Sequence, residues 1–253
     1  MNDLKNKTVL ITGASSGIGE ACAKEFAKNG CRLILAARRE DRLKKLSAHL
    51  KTEYHLLQLD VRDRYAVEAA INELPKAWQK IDILLNNAGL SRGLEKIQEG
   101  NSDGWDEMID TNVKGLLYVS RAVLPGMVKR NSGHVINIGS IAGHEVYPKG
   151  NVYCASKFAV DAITKGMRID LVDTNLRVTT VDPGLVETEF SEVRFYGDKK
   201  RAKTVYQGYK PLSGDDIADA VVWAASRPAH VQIAQIIILP KDQASTMVVN
   251  KKE

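Results

Sequence analysis

The run Tyr153-Cys154-Ala155-Ser156-Lys157 sets a phenol and an ammonium four residues apart, so on a helix the two side chains share one face. A phenol with a pKa of about 10 is a poor base near neutrality, and bringing it to about 7 takes roughly 4 kcal/mol. A cation about 4 Å away, in a medium of effective dielectric near 20, supplies an interaction of that order. Such a pair can pass a proton to or from a substrate oxygen. Two further residues suit the same chemistry. Ser140 follows the apolar segment Val135–Gly139, where a hydroxyl can hydrogen-bond a reacting oxygen, and Asn112 lies in a helical stretch from which it can hold a water beside Lys157. Plainer readings stand next to these. Tyr and Lys at this spacing are common on solvated helix faces, Ser140 can be a turn or cap residue, and Asn112 can be a buried amide satisfied locally. Cys154 sits about 100° around the helix from Tyr153 and reads as a small buried thiol.

A redox partner for that centre is suggested nearer the start. Thr8–Thr12 is a strand, and it runs into Gly13-Ala14-Ser15-Ser16-Gly17-Ile18-Gly19 and then a helix. Glycines there let the chain turn sharply and bring backbone N–H groups to a pyrophosphate at a helix N-terminus, so Gly13, Ser15, Ser16, Gly17, Ile18 and Gly19 are candidate dinucleotide contacts. The second strand ends in Leu35-Ala36-Ala37-Arg38-Arg39, with no acid before Glu40. A carboxylate would repel a ribose 2′-phosphate, whereas arginine offers it a charged planar fork. NADP(H) is therefore the expected cofactor, with Arg38 the main phosphate contact and Arg39 secondary. The alternative is that both arginines cap the next helix or sit in solvent. Asp60-Val61 can hold the adenine edge, and Asn87-Ala88-Gly89 can let backbone approach the central ribose. The positive charge of oxidised nicotinamide would help Lys157 make Tyr153 a usable acid/base.

Short apolar runs alternating with amphipathic segments must position these residues. Strands are expected at Thr8–Thr12, Arg32–Ala36, His55–Leu59, Ile81–Asn86, His134–Ile138, Arg177–Val181 and Gln235–Leu239, with helices near 17–29, 39–50, 65–74 and 215–226 between them. Strands apolar on both faces and separated by helices argue a parallel sheet covered on both sides. No linker or repeat divides the 253 residues, which suits one domain spanning 1–253. The least regular stretch, 186–211, follows the sixth strand and would cover the active site as a lid; Arg194, within it, can meet a substrate carboxylate or simply be solvated. His144, Glu145 and Tyr147 can line the pocket wall or serve packing and interfaces.

Composition narrows the classes. The net charge of +5 is spread among 31 acids without a basic stripe, which argues against nucleic acid as a partner. Three cysteines without metal-ligand spacing suggest a reducing compartment and no metal. With neither a signal-like apolar run at the N-terminus nor a membrane-length stretch, the expected location is cytoplasmic.

Taken together, TGASSGIG, NNAG, Asn112, Ser140, YCASK and Asp182-Pro183-Gly184 occur in the order and approximate spacing of the short-chain dehydrogenase/reductase family, and the chain resembles that family from about Lys7 to Leu239. The resemblance implies an α/β fold: a single-domain, Rossmann-type, doubly wound sheet of seven predominantly parallel strands with helices on both faces. It also implies a tetrad of Asn112, Ser140, Tyr153 and Lys157, with Lys157 on the nicotinamide ribose and Pro183, Gly184, Val186 and Thr188 bordering the nicotinamide. ILAARR, GSIAGHEVYPKGNVYCASKFAV, PGLVETEFSEVRF and LPKDQAS look like its NADP-dependent 3-hydroxy acid dehydrogenase branch. That branch implies oxidation of serine, allo-threonine or 3-hydroxybutyrate-like acids, or reduction of semialdehydes, in a homotetramer. The competing readings are a broad NADPH-dependent carbonyl reductase and a non-catalytic NADP-binding sensor.

Overall fold

A computed structural model describes residues 3–252. Its strands are β1 (Thr8–Thr12), β2 (Arg32–Ala37), β3 (Tyr54–Gln58), β4 (Ile83–Asn86), β5 (Gly133–Ile138), β6 (Leu176–Pro183) and β7 (Gln235–Ile238). Between them lie α1 (Gly17–Lys28), α2 (Glu40–Ser47), α3 (Arg64–Asn72), α4 (Ser102–Ile109), α5 (Leu116–Arg130) and α6 (Asn151–Asp170). After β6 come α7 (Phe190–Arg194), α8 (Lys199–Thr204) and α9 (Gly214–Ala225). One sheet holds all seven strands in the order β3-β2-β1-β4-β5-β6-β7, and every pairing is parallel. The seven-stranded doubly wound fold is thus as expected from sequence. The sheet is wholly rather than predominantly parallel.

Alternation along the central strands builds two cores. Val9, Ile11, Leu33, Leu35 and Leu85 pack with Ala21, Cys22 and Phe26 of α1 and Ile217 and Val221 of α9. Leu10, Ile34, Leu84 and Val135 point the other way, onto Val67 and Ile71 of α3 and Val119, Val123 and Met127 of α5. Burial on both faces is why these strands read as unbroken apolar runs. Among the described residues no helix is long and apolar enough to cross a membrane. Cys22, Cys31 and Cys154 are free and buried, as the inert reading of Cys154 requires.

The strand order reverses between β1 and β4, which leaves a crevice outside the carboxyl ends of the strands. Into it run the loops after β1 to β6. The stretch 186–211 is not irregular throughout: it contains α7 and α8, joined by a turn with Tyr196 and Gly197 at positive φ.

Candidate active site

A cleft of about 510 Å³ lies over those strand ends. At one end the β1–α1 turn carries Gly13 at φ +65° and Gly17 at φ +55°, left-handed conformations that glycine adopts without strain. Ser15, Ser16, Gly17 and Ile18 line the cleft, and Ser16, at the N-cap of α1, makes no side-chain cap bond. First-turn N–H groups of α1 therefore remain for an anion. Gly19 plays a different part from the one expected. It does not line the cleft; a Cβ there would strike Asn87 Nδ2 and the Gly13 carbonyl, so this glycine packs the turn rather than touching a ligand. Asn87 is a clamp as well as a lining residue: Nδ2 donates to the carbonyls of Thr12 (2.9 Å) and Gly13 (3.2 Å), while Thr12 Oγ1 accepts from the N–H groups of Asn87 and Ala88.

The two arginines divide their labour. Arg39 Nη2 donates to Ser16 Oγ (2.8 Å) and Ser15 Oγ (3.2 Å), and its Nη1 pairs with Glu189 at 3.1 Å, so it ties the turn to the stretch after β6. Arg42 meets the same carboxylate at 2.6 Å. Arg38 is half exposed, with only a 3.7 Å ion pair to Glu107, and is the guanidinium more available to a phosphate. Asp60 and Val61 line the cleft; burial raises the Asp60 pKa, but the Arg62 guanidinium beside it more than offsets this and holds the carboxyl below its usual range. Thr111, which the sequence reading passed over, lies on the same wall, and its buried Oγ1 has no hydrogen-bond partner in the protein. These donors, the left-handed glycines and a free arginine fit a phosphorylated dinucleotide.

Ser140, Tyr153 and Lys157 converge at the other end. Ser140 caps a 3-10 turn (Ile141–Gly143), where its Oγ accepts from Ala142 N–H at 3.1 Å and reaches the Pro183 carbonyl at 3.4 Å. Lys157 Nζ donates to the Ile138 carbonyl at 2.9 Å and lies 6.0 Å from the centre of the Tyr153 ring. Pro183, Gly184, Val186 and Thr188 complete this wall, and Ala88 and Gly89 face it.

One expectation about this centre needs correcting. Burial pushes the Tyr153 phenol above its ordinary pKa, and nearby Tyr147 adds to this. Arg194 and Ser140 act in the opposite sense. Lys157 is itself lowered to about 8 by burial, with Asp182 acting in the opposite sense. Spacing alone left out the cost of forming a phenolate away from water, which outweighs the neighbouring charges here. Asn112 lies in a helical stretch as expected, here a π-helical turn (Asp110–Gly115) joining α4 to α5. Its Nδ2 donates to Leu90 O (2.8 Å) and Ser156 Oγ (3.0 Å), and its Oδ1 accepts from Leu90 N–H. The amide is spent on the loop after β4 and on α6, and does not line the cleft. It positions these elements.

Arg194 reaches in from α7. Its Nε donates to Ser91 Oγ (3.1 Å) and its Nη2 to Tyr147 Oη (2.8 Å), while its guanidinium carbon stands 5.3 Å from the centre of the Tyr153 ring. Phe190 packs edge-on to Tyr153 at 5.5 Å. Of the three residues after Ser140 considered for the pocket wall, Tyr147 lines the cleft. His144 bonds Asp182 and Glu145 holds Thr246; neither lines the cleft, although Thr246 does. Ser91 and Phe190 were missed because only tertiary folding brings them to Arg194.

A phenol, a lysine and a serine beside a dinucleotide-shaped crevice define a dehydrogenase or reductase site of the Rossmann kind. The chain belongs to the short-chain dehydrogenase family, whose model matches residues 7–197. It is 47% identical over 237 residues to the NADP-dependent 3-hydroxy acid dehydrogenase YdfG of Escherichia coli, covering 93% of this chain and 96% of that protein. It is 44% identical to the NADP-dependent 3-hydroxy acid dehydrogenase of Schizosaccharomyces pombe over the full length of both. The closed form of a serine dehydrogenase complexed with NADP+ superposes with a TM-score of 0.93, at 45% identity, covering 97% of this chain and all of that one.

Proposed function

We propose that this protein is an NADP(H)-dependent dehydrogenase of short 3-hydroxy acids such as serine, allo-threonine or 3-hydroxybutyrate-like acids, working as a cytoplasmic homotetramer. Residues 1–253 act as one catalytic domain, with 186–211 covering the substrate. Three things support the reading: membership of the family, the names of the relatives just given, and the open arginine at the end of the second strand.

Bound NADP+ supplies the hydride acceptor, and NADPH the donor in reverse. In the oxidative direction Tyr153, as the phenolate, would accept the hydroxyl proton while the carbinol C–H bond breaks, its hydride leaves for the oxidised cofactor and the carbonyl forms. Ser140 Oγ donates to the reacting oxygen and stabilises its charge in the transition state. Lys157, fixed on the Ile138 carbonyl, keeps positive charge next to the phenol when Tyr153 must ionise. Reduction reverses each proton movement.

The observation that carries the substrate class is Arg194. Ser91 and Tyr147 hold two of its nitrogens, and among the described residues no hydrogen bond from the protein engages Nη1. A carboxylate placed there lies one short chain away from Tyr153, which suits a 3-hydroxy acid. A charge-assisted hydrogen bond contributes about 1.5–3 kcal/mol. Arg194→Ala is thus expected to lower kcat/KM for the hydroxy acid by about 10–150-fold, chiefly through KM, while a neutral alcohol of similar size changes far less. An equal loss for both would reassign the site to neutral alcohols and ketones.

A further inference from the structure

The residue before Pro183 has no assigned part in the reaction, yet it is the buried charge behind the catalytic turn. Asp182 is the penultimate residue of β6 and is 1% exposed. Its Oδ2 accepts from Gln235 Nε2 at 2.6 Å and from His144 Nε2 at 2.9 Å. Gln235 Nε2 also stands 3.0 Å from His144 Nε2, so the three side chains form one cluster around the carboxylate. The other oxygen, Oδ1, lies against Gly139, where a Cβ would collide with it. Gly139 stands between Ile138, whose carbonyl holds Lys157, and Ser140. The carboxylate therefore abuts the one residue that links the lysine's anchor to the catalytic hydroxyl.

We propose that Asp182, held by His144 and Gln235, is a positioning residue that supplies the fixed counter-charge to Lys157 and seats the Gly139–Ser140 turn. The inference rests on Tyr153 and Lys157 doing the proton chemistry. An ammonium removed from water needs a nearby negative charge to stay protonated, and Asp182 is the charge that acts on Lys157 in that sense. The other ionisable groups facing the centre are Tyr147, Cys154 and Arg194, which act on Tyr153. Gln235, on β7, is neutral. His144 touches Asp182 with 22% of its side chain exposed, and Gln235 beside it is exposed as well.

Removing a negative charge eases deprotonation of every neighbour, so Lys157 and Tyr153 shift the same way. The test compares pH profiles of kcat/KM for hydroxy acid oxidation in the parent, Asp182→Asn and His144→Gln, with NADPH affinity by fluorescence titration as a check on folding. Asp182→Asn is expected to move the ascending limb to lower pH by half a unit or more at unchanged NADPH affinity. His144→Gln, which keeps a donor to the carboxylate, is expected to retain the parent's limb. A merely structural role would lower kcat in Asp182→Asn with the limb unmoved, and that result overturns the inference. If Tyr153→Phe stayed active in the same assay, the underlying reading would be the one to fail. Should Asp182→Asn not fold, Asp182→Glu, which retains the charge, decides: a parent-like limb supports the inference and a shifted one overturns it.

Discussion

Tyr153→Phe will fold and bind NADPH as the parent does but lose about 10²–10⁴-fold in kcat, the usual worth of a positioned acid/base. The prediction follows from how little else the hydroxyl does. The ring itself fills the space against Phe190 and beneath Arg194, contacts that phenylalanine keeps. Ser140 retains the Pro183 carbonyl and the Ala142 N–H when the phenol oxygen is gone. Replacing a buried phenol that is hard to ionise by a hydrocarbon of the same shape leaves no stranded charge. The loss should therefore appear in kcat, with the Kd for NADPH and the melting temperature close to the parent's.

Lys157→Met is expected to be inactive and more stable at once. The lysine is buried in the folded chain, and burial lowers its pKa from the ordinary 10.5 to about 8. Below pH 8 both folded and unfolded chains carry the proton, and the folded one bears the cost of an ammonium out of water. Between about 8 and 10.5 the unfolded chain binds more protons than the folded one, so the parent's stability rises with pH across that window as the cost is relieved. Methionine has similar length and no charge to bury. It forfeits the bond to the Ile138 carbonyl, worth about 1 kcal/mol, against a larger relief, so a net gain of about 1–2 kcal/mol at pH 7 is expected. Thermal unfolding at pH 7 should show a rise of several degrees, shrinking as pH approaches 10, while turnover falls at least as far as in Tyr153→Phe. A lower melting temperature at neutral pH would mean that the ammonium is better compensated than the account allows.

What could be read from the chain beforehand follows from the range of the forces involved. The strands were legible because a doubly covered parallel sheet demands continuous apolar runs, and β1 fell where expected. Ends were less so. β4 starts at Ile83, not Ile81, because Asp82 turns its carboxylate to the Thr8 N–H. β6 runs on to Pro183 because pairing with Ile238 extends it. The placement of Ser140, Tyr153 and Lys157 could be foreseen from one strand end and one helix face. The packing role of Gly19, the spent amide of Asn112 and the grip of Arg39 on Ser15, Ser16 and Glu189 could not, since each depends on partners 22 to 150 positions away or on a π turn with no short-range signature. The electrostatics of Tyr153 went astray for the same reason. Spacing reveals a neighbouring charge but not the depth at which a phenol is buried.

The most direct test of the central claim is absorbance at 340 nm while the protein meets a panel of serine, allo-threonine, 3-hydroxybutyrate and neutral alcohols, with NADP+ and NAD+ at equal concentration. The account predicts a rise with NADP+ and a short 3-hydroxy acid, much weaker with NAD+ and with the neutral alcohols. Tight binding of NADPH together with a flat trace across that panel, and across the corresponding carbonyls with NADPH, would contradict it.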